Sequence, residues 1–250
     1  MGKSDISKSG LILKSALILL GTVHSDPLGY GRTKAFLSDY RPDLILVEIS
    51  PFALQYRKEH AVRLLGELLS NLRHAAQKAG IDFGQALRHS AIRAIARQLA
   101  LPFEYRASAA YAAKFFATVV PVDWSEFSRR WIGTWPELIS TANLEVLLRR
   151  EDSQPSIAGR YEQAAARIGG DRSAIHVQVG KDLPAWQDRE RHIEAEIRSN
   201  LARSGPRRPL YIGGWQHLVA GGEPRSLREL LEIGLSSCHL LDRGTIQGKT

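Results

Sequence analysis

Residues 17–26 read LILLGTVHSD: four apolar residues, a glycine, and a histidine three positions after it. An apolar run of this length without polar alternation suits a strand covered on both faces, as in a parallel sheet. Turn formers follow at Ser25-Asp26-Pro27, then helical spacing in YGRTKAFLSDY at 30–40. Arg41-Pro42-Asp43 turns the chain into a second apolar run, DLILVEI at 43–49. Strand, helix, strand is a βαβ unit, so these two strands are expected to be parallel neighbours.

The same opening recurs late in the chain. PLYIGG at 209–214 is another unalternated run, and Gly214-Trp215-Gln216-His217 repeats the Gly-x-x-His spacing of Gly21-Thr22-Val23-His24. VVPVD at 119–123, SCHLL at 237–241 and LILK at 11–14 read as further short strands. Helical spacing lies between them. Val62, Leu65, Leu69, Leu72, Ala76 and Ala79 form one stripe, closed by Gly80. Leu87, Ala91, Ile95 and Leu99 mark a helix from about Phe83, with Pro102 beyond, and ASAAYAAKFFA at 107–117 another. Ile193, Ile197 and Leu201 mark an amphipathic helix over Asp182 to Ala202.

This alternation predicts an α/β fold with a mostly parallel central sheet flanked by helices. The helices from about 52 to 118 exceed one crossover and are expected to form a helical insert or lid after the second core strand. No stretch has linker composition, so residues 1–250 are expected to be one domain.

Composition narrows the function. Lys and Arg total 34 against 26 Asp and Glu, a formal charge of +8. The basic residues are spread through the helices, which reads as a solvated face more readily than as a nucleic-acid interface. Cys238 is the only cysteine, which excludes internal disulfides and cysteine-rich metal sites. It reads as a small buried hydrophobe and fits a reducing, cytoplasmic setting. GLILKSALILLG at 10–21 is interrupted by Lys14, lacks a small-residue cleavage pattern and is shorter than a membrane span. Gly-x-Ser-x-Gly, His-Glu-x-x-His and P-loop patterns are absent.

His24, Glu48, Asp123 and His217 each stand at or just past the carboxyl end of an expected strand. Open α/β sheets bind their ligands along that edge. Two imidazoles and one carboxylate form a three-ligand set for a divalent cation such as Mn, Co or Zn. Such an ion lowers the pKa of bound water toward about 7. A spare carboxylate or histidine moves protons. Each residue also has a structural reading: a strand-end histidine as a hydrogen-bonded core group, Glu48 as the ion-pair partner of Arg57 or another arginine, and Trp124, Trp131, Trp135 and Trp215 as packing residues or pocket walls.

Taken together, LILLGTVHSD, PDLILVEIS and YIGGWQHLVAGG resemble the TraB/PrgY family, part of a wider group with TIKI, GumN, erythromycin-esterase-like and ChaN-like proteins. PFEYR, VVPVDWSEFSRRW and DRERHIEAEI are similar to further segments of that family. Trp124 stands where the family usually carries arginine, the arginine expected soon after Glu48 appears only at Arg57, and the glycine after the second histidine is displaced to Gly221. The resemblance implies an erythromycin-esterase/ChaN-like sheet and a hydrolase of amide or ester bonds, acting on a peptide or small ester. In TIKI-like members His24, Glu48 and His217 would hold a metal. In esterase-like members a histidine acts as base on water without one, and ChaN-like members bind haem. Glu104 and Asp123 would be supporting groups or proton shuttles, and Arg106, Arg130, Arg189 and Trp215 would contact substrate.

Overall fold

The computed structural model describes residues 17–152, 156–170, 183–221, 225–242 and 244–245. The expected LILK strand lies outside them. Five parallel strands form the sheet: β1 (Ile18–Thr22), β2 (Leu44–Val47), β3 (Thr118–Pro121), β4 (Pro209–Gly214) and β5 (Cys238–Leu240). A two-residue strand, β6 (Gly244–Thr245), adds antiparallel to β5. The α/β class expected from the sequence is what the chain adopts.

The strand order is β3-β2-β4-β1-β5-β6. This corrects one expectation: β1 and β2 are not neighbours, because β4 is inserted between them and pairs in parallel with both. The pairing aligns Gly21 with Gly213, Thr22 with Gly214 and Val47 with Ile212. Strands β1 and β4 therefore end level and β2 ends two residues short of them, and the residues that follow emerge at one edge.

Two compact units divide the chain. The first comprises 1–49, 103–124 and 157–250, and the second 50–102 and 125–156. The helical insert expected at 52–118 is thus bounded differently: residues 103–118 belong to the sheet unit, and a second helical stretch joins the insert from beyond Asp123.

In the sheet unit, α1 (Gly29–Tyr40) connects β1 to β2. Helix α1 begins on a glycine for a steric reason. A Cβ at Gly29 would lie 2.4 Å from the Phe103 ring. The helical unit contains α2 (Pro51–Ala79), α3 (Phe83–Arg88) and α4 (Ser90–Leu99). Pro51 starts α2 behind the Ser50 cap, and Gly80 ends it at φ 69°. Its buried row is Leu64, Leu68, Leu72, Ala75 and Ala76, while Val62 and Leu69 stay exposed, so the predicted stripe is rotated from the real one. The helix expected from Phe83 to Leu99 breaks at His89, whose side chain accepts the Ala91 N–H and caps α4.

Helix α5 (Phe103–Phe115) precedes β3 in the sheet unit. Helices α6 (Ser125–Gly133), α7 (Trp135–Leu138) and α8 (Thr141–Leu148) complete the helical unit. The chain then returns through α9 (Ile157–Ile168) and α10 (Leu183–Ser204) to β4. Ile193, Ile197 and Leu201 of α10 are buried in the core of the sheet unit, with Leu19, Leu44, Leu46 and Tyr211. A short helix, α11 (Leu227–Leu230), carries a capping box between Ser226 and Glu229. Among the described residues no helix is long and apolar enough to cross a membrane.

Candidate active site

The sheet carries β4 between β1 and β2, and at its carboxyl edge His24, Glu48 and His217 meet. Glu48 is the centre. Its Oε1 lies 2.9 Å from His217 Nε2 and 2.5 Å from Arg189 Nη2. Its Oε2 accepts the Gly214 N–H at 2.5 Å and lies 3.5 Å from His24 Nε2.

The two glycines before Trp215 are needed for this convergence. A Cβ on Gly213 would sit 2.4 Å from Tyr211 Oη and 2.7 Å from Glu48 Oε2. One on Gly214 would come within 2.9 Å of His24 Nε2. Real Cβ atoms do not approach so closely, so the backbone here passes through space that any larger residue would take from the site.

Each imidazole also has a carboxyl group at its other nitrogen. His24 Nδ1 donates to Glu104 Oε1 at 2.8 Å, and Thr22 Oγ1 donates to the same oxygen at 2.8 Å. His217 Nδ1 lies 2.5 Å from Glu190 Oε1. That contact is an ion pair without hydrogen-bond geometry, since His217 Nδ1 and both Glu190 oxygens find no hydrogen-bond partner among the described residues. The series Glu104, His24, Glu48, His217, Glu190 thus alternates carboxyl and imidazole, with His24 its exposed member. His24 keeps 52% of its side chain in solvent, His217 keeps 1% and Glu190 none.

Burial should lower the basicity of both rings, but the carboxyl groups outweigh it. His217 is pushed up to about 10, with Glu190 and Glu48 the opposing charges. His24 is held well above its ordinary value, with Glu104 contributing more than Glu48. Burial would raise Glu48, yet His217 and Arg189 hold it well below the usual carboxylate range. Trp186 stacks on the His217 ring at 5.4 Å, and Tyr211 meets it edge-on at 6.0 Å. The Tyr211 hydroxyl is buried without a hydrogen-bond partner among the described residues, and burial and then the Glu48 charge raise it well above its ordinary pKa.

The remaining expected residues divide. Asp123 joins the site through Arg189, accepting from its Nε at 2.7 Å and its Nη2 at 2.9 Å. Arg189 therefore cross-links two carboxylates, Glu48 and Asp123, and is buried. Its expected role is a substrate contact; here its guanidinium is engaged by these two carboxylates. It is also the arginine that satisfies Glu48, whereas Arg57 donates to the carbonyls of Ala53 and Gln98 and lies over Trp135. Arg106 is exposed on α5 and lies over the Tyr30 ring. Arg130 is exposed on α6 of the helical unit, 3.9 Å from Glu126. Trp215 is buried in the core with the Arg167 guanidinium over its ring.

Trp186 and Tyr211, which the sequence does not point to, are central to the site, and so is Glu190, which the resemblance of DRERHIEAEI singles out beside Arg189 without a role in the site. Glu190 had a readable signal. It falls on the buried α10 row with Ile193 and Ile197, where an acidic residue demands a partner.

The donor types His24, Glu48 and His217 suit a divalent cation, and a carboxylate on each Nδ1 is how metal-ligating histidines are commonly oriented. In this arrangement protein groups engage Glu48 instead. Both Glu48 oxygens already accept from Arg189, His217 and Gly214, and the Arg189 charge stands where a cation would be repelled. Among the described residues no group of three His, Cys, Asp or Glu side chains is arranged to hold a metal ion. Compared with family models, with curated proteins and with solved structures, the chain matches none.

Proposed function

We propose that this protein is a hydrolase of ester or amide bonds in which His24 is the general base. The observation that carries this reading is a half-exposed imidazole whose Nδ1 is held by a buried glutamate. A carboxylate accepts at Nδ1 and cannot donate, so the neutral ring keeps its lone pair on Nε2. Nε2 takes a proton from water, and the water oxygen attacks the carbonyl carbon. The tetrahedral intermediate expels an alcohol or amine, which receives the proton back from Nε2. Glu48, 3.5 Å from Nε2, stabilises the imidazolium formed in between. His217, Arg189 and the Gly214 N–H fix Glu48, and Asp123 fixes Arg189. Proton transfer by a positioned group of this kind contributes roughly 10²–10⁴-fold.

The resemblance to the TraB/PrgY group, and to its esterase-like members with a histidine base, supports the same chemistry. The test is hydrolysis of p-nitrophenyl esters and fluorogenic peptides by protein dialysed against EDTA, beside its His24→Ala and His217→Ala variants, with elemental analysis of all three. Turnover that survives chelation and falls in His24→Ala is the expected result. Turnover lost on chelation, with Mn, Co or Zn bound stoichiometrically to the wild type and absent from both variants, would replace it with the metal-dependent reading. A Soret band on haem addition without hydrolysis would replace it with a binding function.

A further inference from the structure

The loop that carries His24 is tied down on both sides by two adjacent residues of one helix. Strand β1 ends at Thr22, so the Val23 N–H has no further strand to pair with. It donates to Tyr161 Oη at 3.3 Å. Tyr161 Oη in turn donates to Asp26 Oδ2 at 3.2 Å. The next residue toward the N-terminus of α9, Arg160, donates from Nη1 to Ser25 Oγ at 2.8 Å.

Asp26 is itself fully engaged. Its N–H donates to the Val23 carbonyl at 2.8 Å. Its Oδ1 accepts the Leu28 N–H at 2.9 Å, and its Oδ2 accepts from Arg32 Nη1 at 2.9 Å. Arg32 is held in turn by Asp242 at 2.8 Å. Val23, Ser25 and Asp26, on either side of His24, therefore have buried or charged anchors, while His24 keeps half of its side chain in solvent. Tyr161 is fully buried, and burial together with the Asp26 charge keeps its hydroxyl proton in place. A hydroxyl that must both accept and donate has one orientation that serves, and this one sets the spacing between Val23 and Asp26.

We propose that α9 is the positioning element of the general base: Tyr161, with Arg160 beside it, holds the backbone of residues 23–26 so that His24 Nε2 stays directed at its substrate. Tyr161 touches no reacting atom and acts through the loop. This rests on the reading of His24 as the base. Misplacing a catalytic group by about 1 Å can cost roughly 10²-fold in rate, so a loosened loop would show in turnover before it showed in binding.

The test uses the full chain with Tyr161→Phe, which keeps the buried ring and removes the hydroxyl, and Arg160→Met as a second variant. Two quantities are measured: kcat and KM on p-nitrophenyl butyrate, and amide hydrogen exchange by NMR at residues 23–26 and in β1. In Tyr161→Phe, kcat falls by about tenfold or more with KM within about twofold. Val23 exchange rises by about tenfold or more while Leu19 and Leu20 are unchanged. Arg160→Met gives the same pattern to a smaller extent. An unchanged kcat in both variants overturns the proposal, and so does a rise in exchange shared equally by β1, which marks general loosening. If the wild type hydrolyses no probe, the hydrolase reading falls separately. The exchange data then decide alone: unaltered Val23 protection overturns the pinning of the loop, and selective loss of it upholds it.

Discussion

Glu48 Oε1 and His217 Nε2 stand 2.9 Å apart at the ends of adjacent strands, and both side chains are buried. The pair is held charged, with His217 pushed from 6.5 up to about 10 and Glu48 held well below 4.5. In the unfolded chain both groups return to their ordinary values, so folding takes up a proton at His217 between these limits. Stability from His217 is complete below about pH 6.5 and is lost as pH rises toward 10. Stability from Glu48 is complete above its ordinary value and is lost as pH falls through its lower folded one. Urea midpoints should therefore be highest between about pH 5 and 6.5 and decline on both sides. His217→Gln should flatten the alkaline side. A wild-type midpoint that is constant from pH 6.5 to 10 would show that the pair is not charged in the fold.

Removing the most exposed and the most buried members of the carboxyl–imidazole series should have different signatures. His24 is half exposed, so His24→Ala should lower kcat by roughly 10²–10⁴-fold and should shift the melting temperature less than loss of the fully buried Glu190 does. Glu190→Ala leaves the His217 imidazolium buried beside one fewer carboxylate, and breaking such a buried pair costs about 3–5 kcal/mol. Calorimetry beside steady-state kinetics separates the two. A larger melting shift in His24→Ala than in Glu190→Ala, or none in Glu190→Ala, contradicts the assignment.

The rate profile should report Glu104. His24 must be neutral to act as a base, and its pKa is raised chiefly by Glu104 against the pull of burial. Hydrolysis should therefore increase with pH through a limb centred well above 6.5. Glu104→Gln removes that charge and should move the limb to lower pH, with a lower plateau because the ring loses its orientation. A limb that does not move would place the titrating base elsewhere.

Three glycine-to-alanine changes should differ in sign. At Gly213 the new Cβ would press on Tyr211 Oη and Glu48 Oε2. At Gly214 it would press on the Gln216 side chain and on His24 Nε2. Overpacking of this kind costs about 1–3 kcal/mol and should abolish turnover in both variants. Gly66, inside α2, has nothing within 4 Å of such a Cβ. Gly66→Ala should stabilise by about 0.5–1 kcal/mol through helix propensity, read from chemical denaturation.

Burial raises the Cys238 thiol to about 11, and it lies in the core between strand and helix residues. The native protein should not react with a disulfide reagent at pH 8, and denaturant should release one reactive thiol. Rapid labelling of the native chain would mean that β5 opens readily.

Much of this architecture can be read from local pattern. The run PLYIGG coincides with β4 because an unalternated apolar segment bounded by Arg208 and Trp215 has no other compact use. The meeting of His24, Glu48 and His217 is legible because all three follow strands that must run parallel. Strand order is not legible: the placement of β4 between β1 and β2 depends on a crossover from distant sequence, with no local marker. Neither is the choice of Arg189 over Arg57 as the partner of Glu48, since an arginine's reach is decided in three dimensions. Glu190 is legible only through its place on the row of Ile193 and Ile197, since acidic residues in a charge-rich helix such as DRERHIEAEI usually face water. The break at His89 is missed because a histidine rarely caps a helix.

The insertion of β4 also governs how the chain comes into being. Strands β1 and β2 leave the ribosome early, yet the segment that joins them is made only after residue 208. Until then the nascent chain exposes unpaired strand edges and has no Glu48–His217 contact. Assembly of the sheet is therefore a late, long-range event, with the slow kinetics such topologies carry. The contact between Glu48 and His217 forms only with closure of the sheet, so a nascent fragment that ends before His217 lacks the centre of the candidate site.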